Sequence, residues 1–401
     1  MYENNYLEVD LDVIKENARS ITKKYDEYEY KIAMVKGNAY GHGMYVVNTL
    51  IENGFNYLAV SSLDEALNIR NYNKKIGILC TQPIDLKYID EILKNDITIS
   101  ISNLSYLKEL KKVLKKKIKV HFAIDSGMNR FGFNNELDLK RAFKLIDENI
   151  EVEGIYSHFA TTGVIDKKWD EQVSRFKSLL SSIDISKIKM IHLANSFSLL
   201  SHPKIDICNG FRVGSSVFGI KTFPIYSTGI KDKIKLFRNK LYKKIYSISD
   251  TYHNVDIDLK LAISLHSKVI EIKEVEKGQS VGYGTSYIAN ENKKIAIIDI
   301  GYEDGLPRCN NDMKVVINKK CYNVIGEIGM CLIFAEIDER VKIGDTVDII
   351  SDNIRIGNFC RLKNQSVHEV LISLGKLNSK KYIKDNKIVY ETYNTESRKE
   401  V

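Results

Sequence analysis

Lys36 stands between an apolar, β-branched run and a glycine-rich turn, in Ala33-Met34-Val35-Lys36-Gly37-Asn38-Ala39-Tyr40-Gly41-His42-Gly43. Tyr30, Ile32 and Val35 mark the run as a core strand, so the ammonium emerges at the strand's carboxyl end, partly stripped of water. Desolvation lowers a lysine's pKa and leaves its amine nucleophilic enough to condense with a carbonyl group. Gly41 and Gly43 let backbone approach an anion closely. Tyr40, four residues on, falls on the same side as Lys36 if a helical turn follows the strand. A lysine beside glycines is otherwise an ordinary solvated side chain, so the rest of the sequence decides.

The elements that must position Lys36 read as βα units. β-branched runs alternate with helical patterns up to about residue 220, which predicts a parallel sheet. Candidate strands are Lys31 to Val35, Tyr57 to Val60, Ile76 to Cys80, Ile97 to Ile101, Ile118 to Ile124, Val152 to Ser157, Met190 to Leu193 and Phe211 to Gly214. Eight units predict a closed (β/α)8 TIM-type barrel, since an open doubly wound sheet ordinarily needs fewer. Helices are expected at Asp10 to Tyr25, Ser62 to Asn71 and Asp170 to Ser182, where apolar residues return at three and four.

After about residue 255 the pattern changes. Leu261 to Lys273, Lys294 to Ile300, Lys314 to Ile317 and Thr346 to Ile350 read as strands without long helices between them. The division predicted is an α/β barrel domain over residues 1–254 and a mostly-β domain over 255–401. The former carries a lysine-rich insertion near 221–254 with an amphipathic helix, Lys233 to Ile248.

Net charge is +8, but lysines and acids are interspersed through Lys108 to Lys119 and Lys231 to Lys244, as on solvated helix faces. No nucleic-acid partner is expected from that pattern. The cysteines, Cys80, Cys208, Cys309, Cys321, Cys331 and Cys360, lie far apart without a CxxC pair or a metal-ligand rhythm. Free thiols in a reducing compartment, and no bound metal, are the expectation. The amino terminus has no basic region followed by an apolar run, and no stretch is long enough to cross a bilayer, so a cytoplasmic location is expected.

Further motifs follow in one order. They are His121-Phe-Ala-Ile-Asp-Ser-Gly-Met-Asn-Arg-Phe-Gly-Phe133, Ser157-His158-Phe159-Ala160, His192-Leu-Ala-Asn195-Ser196, Phe211-Arg212-Val-Gly214 and Val281-Gly-Tyr283-Gly284. With the opening motif they resemble alanine racemases over nearly the whole chain. The resemblance implies an eight-stranded barrel followed by a β-domain, a pyridoxal 5'-phosphate cofactor on Lys36, and a homodimer with shared active sites. It implies that Tyr40, Asn195, Ser196, Gly214 and Ser215 hold the cofactor, its phosphate gripped by hydroxyls and N–H groups. Ser196 follows the seventh strand and Gly214 the eighth, where barrels commonly hold a phosphate. A plain helix cap at Asn195-Ser196 is the competing reading.

By the same resemblance Arg212 faces the pyridine nitrogen, which it leaves unprotonated, and His158 hydrogen-bonds that arginine. Arg130 lies near the cofactor's phenolic oxygen and the substrate carboxylate, Tyr302 and Met330 line the substrate side, and Lys36 and Tyr283 are the two acid-base groups. Racemisation needs one such group on each face of Cα.

Three departures concern substrate placement. Gly329-Met330-Cys331 replaces the family's usual Cys-Met-Asp, Ala123 stands where many members carry a modified lysine that orients Arg130, and Ser373 to Lys380, including Lys376, replaces an arginine- and proline-containing segment. The expected substrate is alanine, with serine or another small or polar amino acid close behind. A decarboxylase of the same fold and a catalytically impaired cofactor-binding relative are the alternatives.

Overall fold

The computed structural model describes residues 4–160, 168–220, 257–308, 312–351, 354 and 356–393. The expected helix at Lys233 to Ile248, with the whole lysine-rich insertion at 221–254, lies outside the described residues.

Tyr6–Asp10 forms a short strand, β1, with Leu7 and Val9 buried and their neighbours half-buried. The eight parallel strands of a closed barrel follow: β2 (Tyr30–Met34), β3 (Tyr57–Val60), β4 (Gly77–Cys80), β5 (Thr98–Ile101), β6 (Ile118–Ala123), β7 (Ile150–Tyr156), β8 (Met190–His192) and β9 (Gly210–Val213). Closure is made where β2 pairs with β9, Ile32 opposite Arg212. These elements match the eight runs read from the sequence to within two residues at every end. Inside the barrel Ile32, Tyr57, Ala59, Leu79, Ala123, Tyr156 and Met190 form one cluster. Polar residues at the strand exits start the helices: Ser62, Asn103, Asn135 and Asn195 each accept a backbone N–H of the first turn.

One irregularity matters below. Between β6 and β7 the register moves from Val120 opposite Val152 to His121 opposite Gly154, so Glu153 is the extra residue of a β-bulge. A bulge re-aims the side chains around it.

The remaining strands are β10 (Ile263–Val275), β11 (Lys293–Ile298), β12 (Lys314–Ile317), β13 (Lys320–Ile325), β14 (Ile333–Ile337), β15 (Thr346–Ile350), β16 (Lys380–Lys384) and β17 (Lys387–Thr392). With β1 they form a sheet in the order β11-β14-β13-β12-β15-β10-β1-β16-β17, antiparallel apart from the β1–β16 pair, and β11 also pairs with β10. A division by compactness counts β1, the Tyr40–Gly43 turn and the chain from Lys260 onward as one unit and the barrel as the other, whereas the sequence division places β1 with the barrel. Two helices, Ile356–Lys363 and Val367–Leu377, interrupt what reads in sequence as strands alone.

The second of these helices packs against the Tyr40–Gly43 turn through glycine. A Cβ on Gly41 would lie 2.1 Å from the Leu371 carbonyl oxygen, and one on Gly375 would lie 2.2 Å from the Gly41 carbonyl oxygen. No helix among the described residues is long and apolar enough to cross a membrane.

Candidate active site

Lys36 follows Val35, whose N–H donates to the Ala59 carbonyl at 2.9 Å and so continues the barrel ladder. The chain then turns the unexpected way: Gly37, Asn38, Ala39 and Tyr40 all have φ between 52° and 63°. This is one turn of left-handed helix, closed by the Ala39 N–H on the Val35 carbonyl at 2.8 Å. The helical turn foreseen for Tyr40 therefore exists with the opposite hand. Residues with a Cβ adopt it only when their surroundings impose it.

Glu65 supplies part of that constraint. Its Oε1 accepts the Gly37 N–H at 2.5 Å and the Asn38 N–H at 3.4 Å, while Oε2 accepts the Ser61 N–H and hydroxyl, each at 2.9 Å. Glu65 was not singled out in the sequence, where it reads as an ordinary acid in the first turn of a helix. Burial is the main cause that lowers the Lys36 pKa, and the charges of Arg130 and Arg212 lower it further against an opposing effect of Glu65.

Arg212 is buried on β9. Nη1 donates to His192 Nδ1 at 2.6 Å and to the His192 carbonyl at 3.0 Å; Nη2 donates to the Ser157 carbonyl at 2.6 Å and faces His158 Nδ1 at 3.4 Å. The expected His158–Arg212 contact is present but is the longest of these, and His192 is the nearer imidazole. His192 entered the sequence reading only as the first residue of a motif. Burial, then the charges of Arg212, Arg130 and Lys36, drive the His158 pKa down to about 3. His158 is consequently neutral and available as an acceptor rather than as a proton donor at neutral pH.

Arg130 projects from the loop after β6. Asp125 Oδ1 accepts the N–H groups of Gly127, Met128 and Asn129, each at 3.0 Å, which engages that carboxylate with the loop backbone. Gly132 has φ 123°, and a Cβ there would come 2.7 Å from the Asp125 nitrogen. Ala123 is buried in the barrel cluster, and the Arg130 guanidinium carbon lies 4.8 Å from the Phe131 ring centre.

Ser196 and Gly214 meet after β8 and β9. The Ser196 hydroxyl oxygen accepts the Gly214 N–H at 3.0 Å and the Ser216 N–H at 3.4 Å, with the Ser216 hydroxyl 3.2 Å away. Ser215 is buried beside them. Asn195 caps the following helix, its Oδ1 accepting the Ser198 N–H at 3.0 Å. The cap reading and the cluster reading therefore hold together, for neighbouring residues.

Tyr283, Tyr302 and Met330 belong to the unit that holds the chain from Lys260 onward. Tyr283 is 71% exposed between Gly282 and Gly284, whose φ values of 75° and 70° make a tight turn. The Tyr302 and Glu303 N–H groups donate to the Gly329 and Met330 carbonyls at 3.0 and 3.1 Å, which ties Tyr302 to the Met330 loop. Tyr40 lies 5.6 Å from the His368 ring, tilted by 54°.

The family model for the alanine racemase N-terminal domain matches residues 9–222, and that for the C-terminal domain matches residues 262–382. The chain belongs to the alanine racemase family. It is 30% identical over 393 residues to an alanine racemase of Borreliella burgdorferi, covering 96% of this chain and 98% of that one. It is 33% identical to alanine racemase 2 of Caldanaerobacter subterraneus, over 86% of this chain and 85% of the relative. Among solved structures it resembles the alanine racemase of Bacillus anthracis with bound L-Ala-P, with a TM-score of 0.82, 28% identity and 98% of each chain covered. The alanine racemase of Clostridium difficile 630 gives a TM-score of 0.84 at 27% identity, over 98% of this chain and 99% of that one.

The family's pyridoxal phosphate fits the residues present. The Gly214 N–H, the Ser216 N–H and the Ser216 hydroxyl all donate to one acceptor, Ser196 Oγ, so donors outnumber acceptors where a phosphate needs them. The charges of Arg130 and Arg212 both depress the Lys36 pKa, a surplus of positive charge that an anionic cofactor offsets.

Proposed function

We propose that the chain is a pyridoxal phosphate-dependent amino-acid racemase that interconverts L- and D-alanine. The observation that carries this reading is Lys36, a solvent-accessible amine at the mouth of a barrel strand whose pKa is lowered by partial burial and by the charges of Arg130 and Arg212, in a chain of the alanine racemase family. The bound cofactor supplies an electron sink that acidifies the substrate's Cα–H.

The rest is assigned to the chain's own groups. Ser196, Gly214, Ser215 and Tyr40 hold the phosphate, with Asn195 fixing the start of the helix that presents Ser196. Arg212, supported by His158, faces the pyridine nitrogen and keeps it unprotonated, because a guanidinium retains its own proton at neutral pH. A weak sink favours return of a proton over loss of a carboxylate or an amino group. Arg130 and the Met330 loop orient the substrate carboxylate, and Tyr302 lines the entrance.

The Lys36 amine takes or returns a proton on one face of Cα, and the Tyr283 hydroxyl serves the other. Exposure of Tyr283 at the tip of a glycine turn suits a group presented to a second copy of the chain, and we assign it to the other subunit's site in a cytoplasmic homodimer. Here the barrel within residues 1–254 carries the cofactor and residues 255–401 carry the reaching tyrosine.

Purified chain given L-alanine or D-alanine alone will produce the other enantiomer. Retention of optical purity with both refutes the reading, and racemisation of serine alone moves the substrate to the polar alternative.

A further inference from the structure

Arg212 is a buried guanidinium whose hydrogen-bond partners among the described residues are two imidazoles and two carbonyls, with the Tyr156 ring centre 5.1 Å from its carbon and no carboxylate in contact. A buried charge without a counter-charge is costly. Its nearest neutral partner leads onward. His192 Nε2 lies 2.9 Å from His121 Nδ1, and His121 Nε2, which makes no hydrogen bond of its own, has Glu153 Oε2 as its facing acceptor at 3.5 Å. The Tyr57 hydroxyl donates to that same oxygen at 2.6 Å.

Both imidazoles are fully buried, and Glu153 is 8% exposed. The β-bulge at Glu153 and the absence of a side chain at Gly154 make room for this row. A Cβ on Gly154 would come 2.5 Å from the His121 ring.

The ends of the row set its direction. An arginine can only donate, so His192 Nδ1 must accept and carries no proton. A neutral His192 then has its proton on Nε2, which donates to His121 Nδ1. His121 in turn keeps its proton on Nε2, aimed at Glu153, where a carboxylate can only accept. Burial lowers the pKa of both histidines, consistent with two neutral rings. Burial pushes Glu153 up, but the facing His121, the hydrogen bond from Tyr57 and the charge of Lys119 outweigh it and bring the carboxyl down to about 2, consistent with a charged terminus.

We propose that Glu153 and His121 are positioning residues. The carboxylate at one end of the row fixes the protons on both imidazoles, so that His192 always presents a bare nitrogen to Arg212. Reversal of the row would put a proton on His192 Nδ1, against the guanidinium, and turn Arg212 away from its partner. The consequence for catalysis rests on the placing of Arg212 at the pyridine nitrogen; the proton arrangement does not.

The test is the long-range 1H–15N spectrum of histidine-labelled holoenzyme, beside racemisation kinetics. At pH 7 His121 and His192 will both appear as neutral rings protonated on Nε2. In Glu153→Gln, whose amide can donate or accept, a second set of signals with protons on Nδ1 will appear, and kcat will fall about tenfold with little change in KM, as for other supporting partners of a site residue. Glu153→Asp, which keeps the charge, will retain the single tautomer.

A proton on His192 Nδ1 or a charged ring in the unaltered chain overturns the proposal, whether or not any variant folds. So does an unchanged histidine pattern in Glu153→Gln. Because tautomers are read without substrate, a chain that holds both protons on Nε2 but racemises nothing refutes the proposed function while leaving the proton row standing.

Discussion

The Gly37 N–H donates to Glu65 Oε1 at 2.5 Å, and this bond joins the first turn of the helix that follows β3 to the residue directly after Lys36. The same carboxylate holds Ser61 through its other oxygen. One acid thus pins two strand exits while a left-handed turn carries the chain away from the lysine. Replacement by alanine leaves several N–H groups without their acceptor. Glu65→Ala should cost about 2 kcal/mol of stability, the usual scale for hydrogen bonds to a charged group, and should reduce turnover at least tenfold. Urea denaturation and steady-state racemisation measure the two effects. Unchanged turnover would show that the turn keeps its shape without Glu65.

Gly41 and Gly375 touch backbone to side face, and neither has space for a methyl group. Gly375→Ala should therefore destabilise the chain by about 1–3 kcal/mol through overpacking. Thermal unfolding will report it as a lower midpoint. An alanine at 375 that leaves the midpoint unchanged would mean that the helix Val367–Leu377 moves away from the turn at little cost.

Much of this frame is legible in the sequence, and the illegible parts share a cause. The eight barrel strands are continuous apolar runs because parallel strands are covered on both faces. β1, β13, β14, β16 and β17 escaped notice. β1 and β16 are neighbours only in space, Leu7 opposite Lys380, and β17 is exposed over most of its length, with no buried face to pattern it.

Among the candidate site residues, Lys36, Arg130, Arg212 and Tyr283 stand in motifs of recognisable order. Glu65, His192, His121 and Glu153 do work that depends on partners many residues away. Nor could composition announce a left-handed turn containing Asn38, Ala39 and Tyr40, since only its first residue is glycine. The turn is imposed by contacts rather than by propensity.

Stability should fall on mild acidification. Burial lowers the pKa of His121 and His192, brings His202 down to about 4, and with three nearby cations brings His158 down to about 3. The unfolded chain takes up protons below about pH 6.5 while these folded imidazoles do not, so their contribution is complete above that pH and is lost as pH falls. Asp304 acts oppositely, because burial raises its carboxyl to about 6 and the fold then binds a proton before the unfolded chain does.

Several imidazoles against this acid leave a net loss, on the order of 1.4 kcal/mol per pH unit for each fully buried ring. Denaturation curves at pH 7.5 and 5.5 will show it. His158→Gln should reduce the dependence, and a chain more stable at pH 5.5 contradicts the assignment of neutral rings.

Tyr283→Phe should separate the two faces of Cα. Removal of the α-proton from one enantiomer should fall by a factor of about a hundred or more, the scale of general acid-base catalysis, while exchange from the other, served by Lys36, falls much less. Isotope exchange begun from each pure enantiomer measures this. Equal losses from both would remove Tyr283 from the assigned role.

The account stands on proton transfer at Cα with Lys36 as one of its two bases. Its most direct test is deuterium uptake from heavy water into alanine, followed by mass spectrometry and chiral chromatography, for the chain and for Lys36→Ala. The unaltered chain should label both enantiomers at Cα and converge on a racemic mixture, and the variant should label neither. Unlabelled alanine of unchanged configuration from the unaltered, cofactor-loaded chain, or undiminished labelling by the variant, would contradict it.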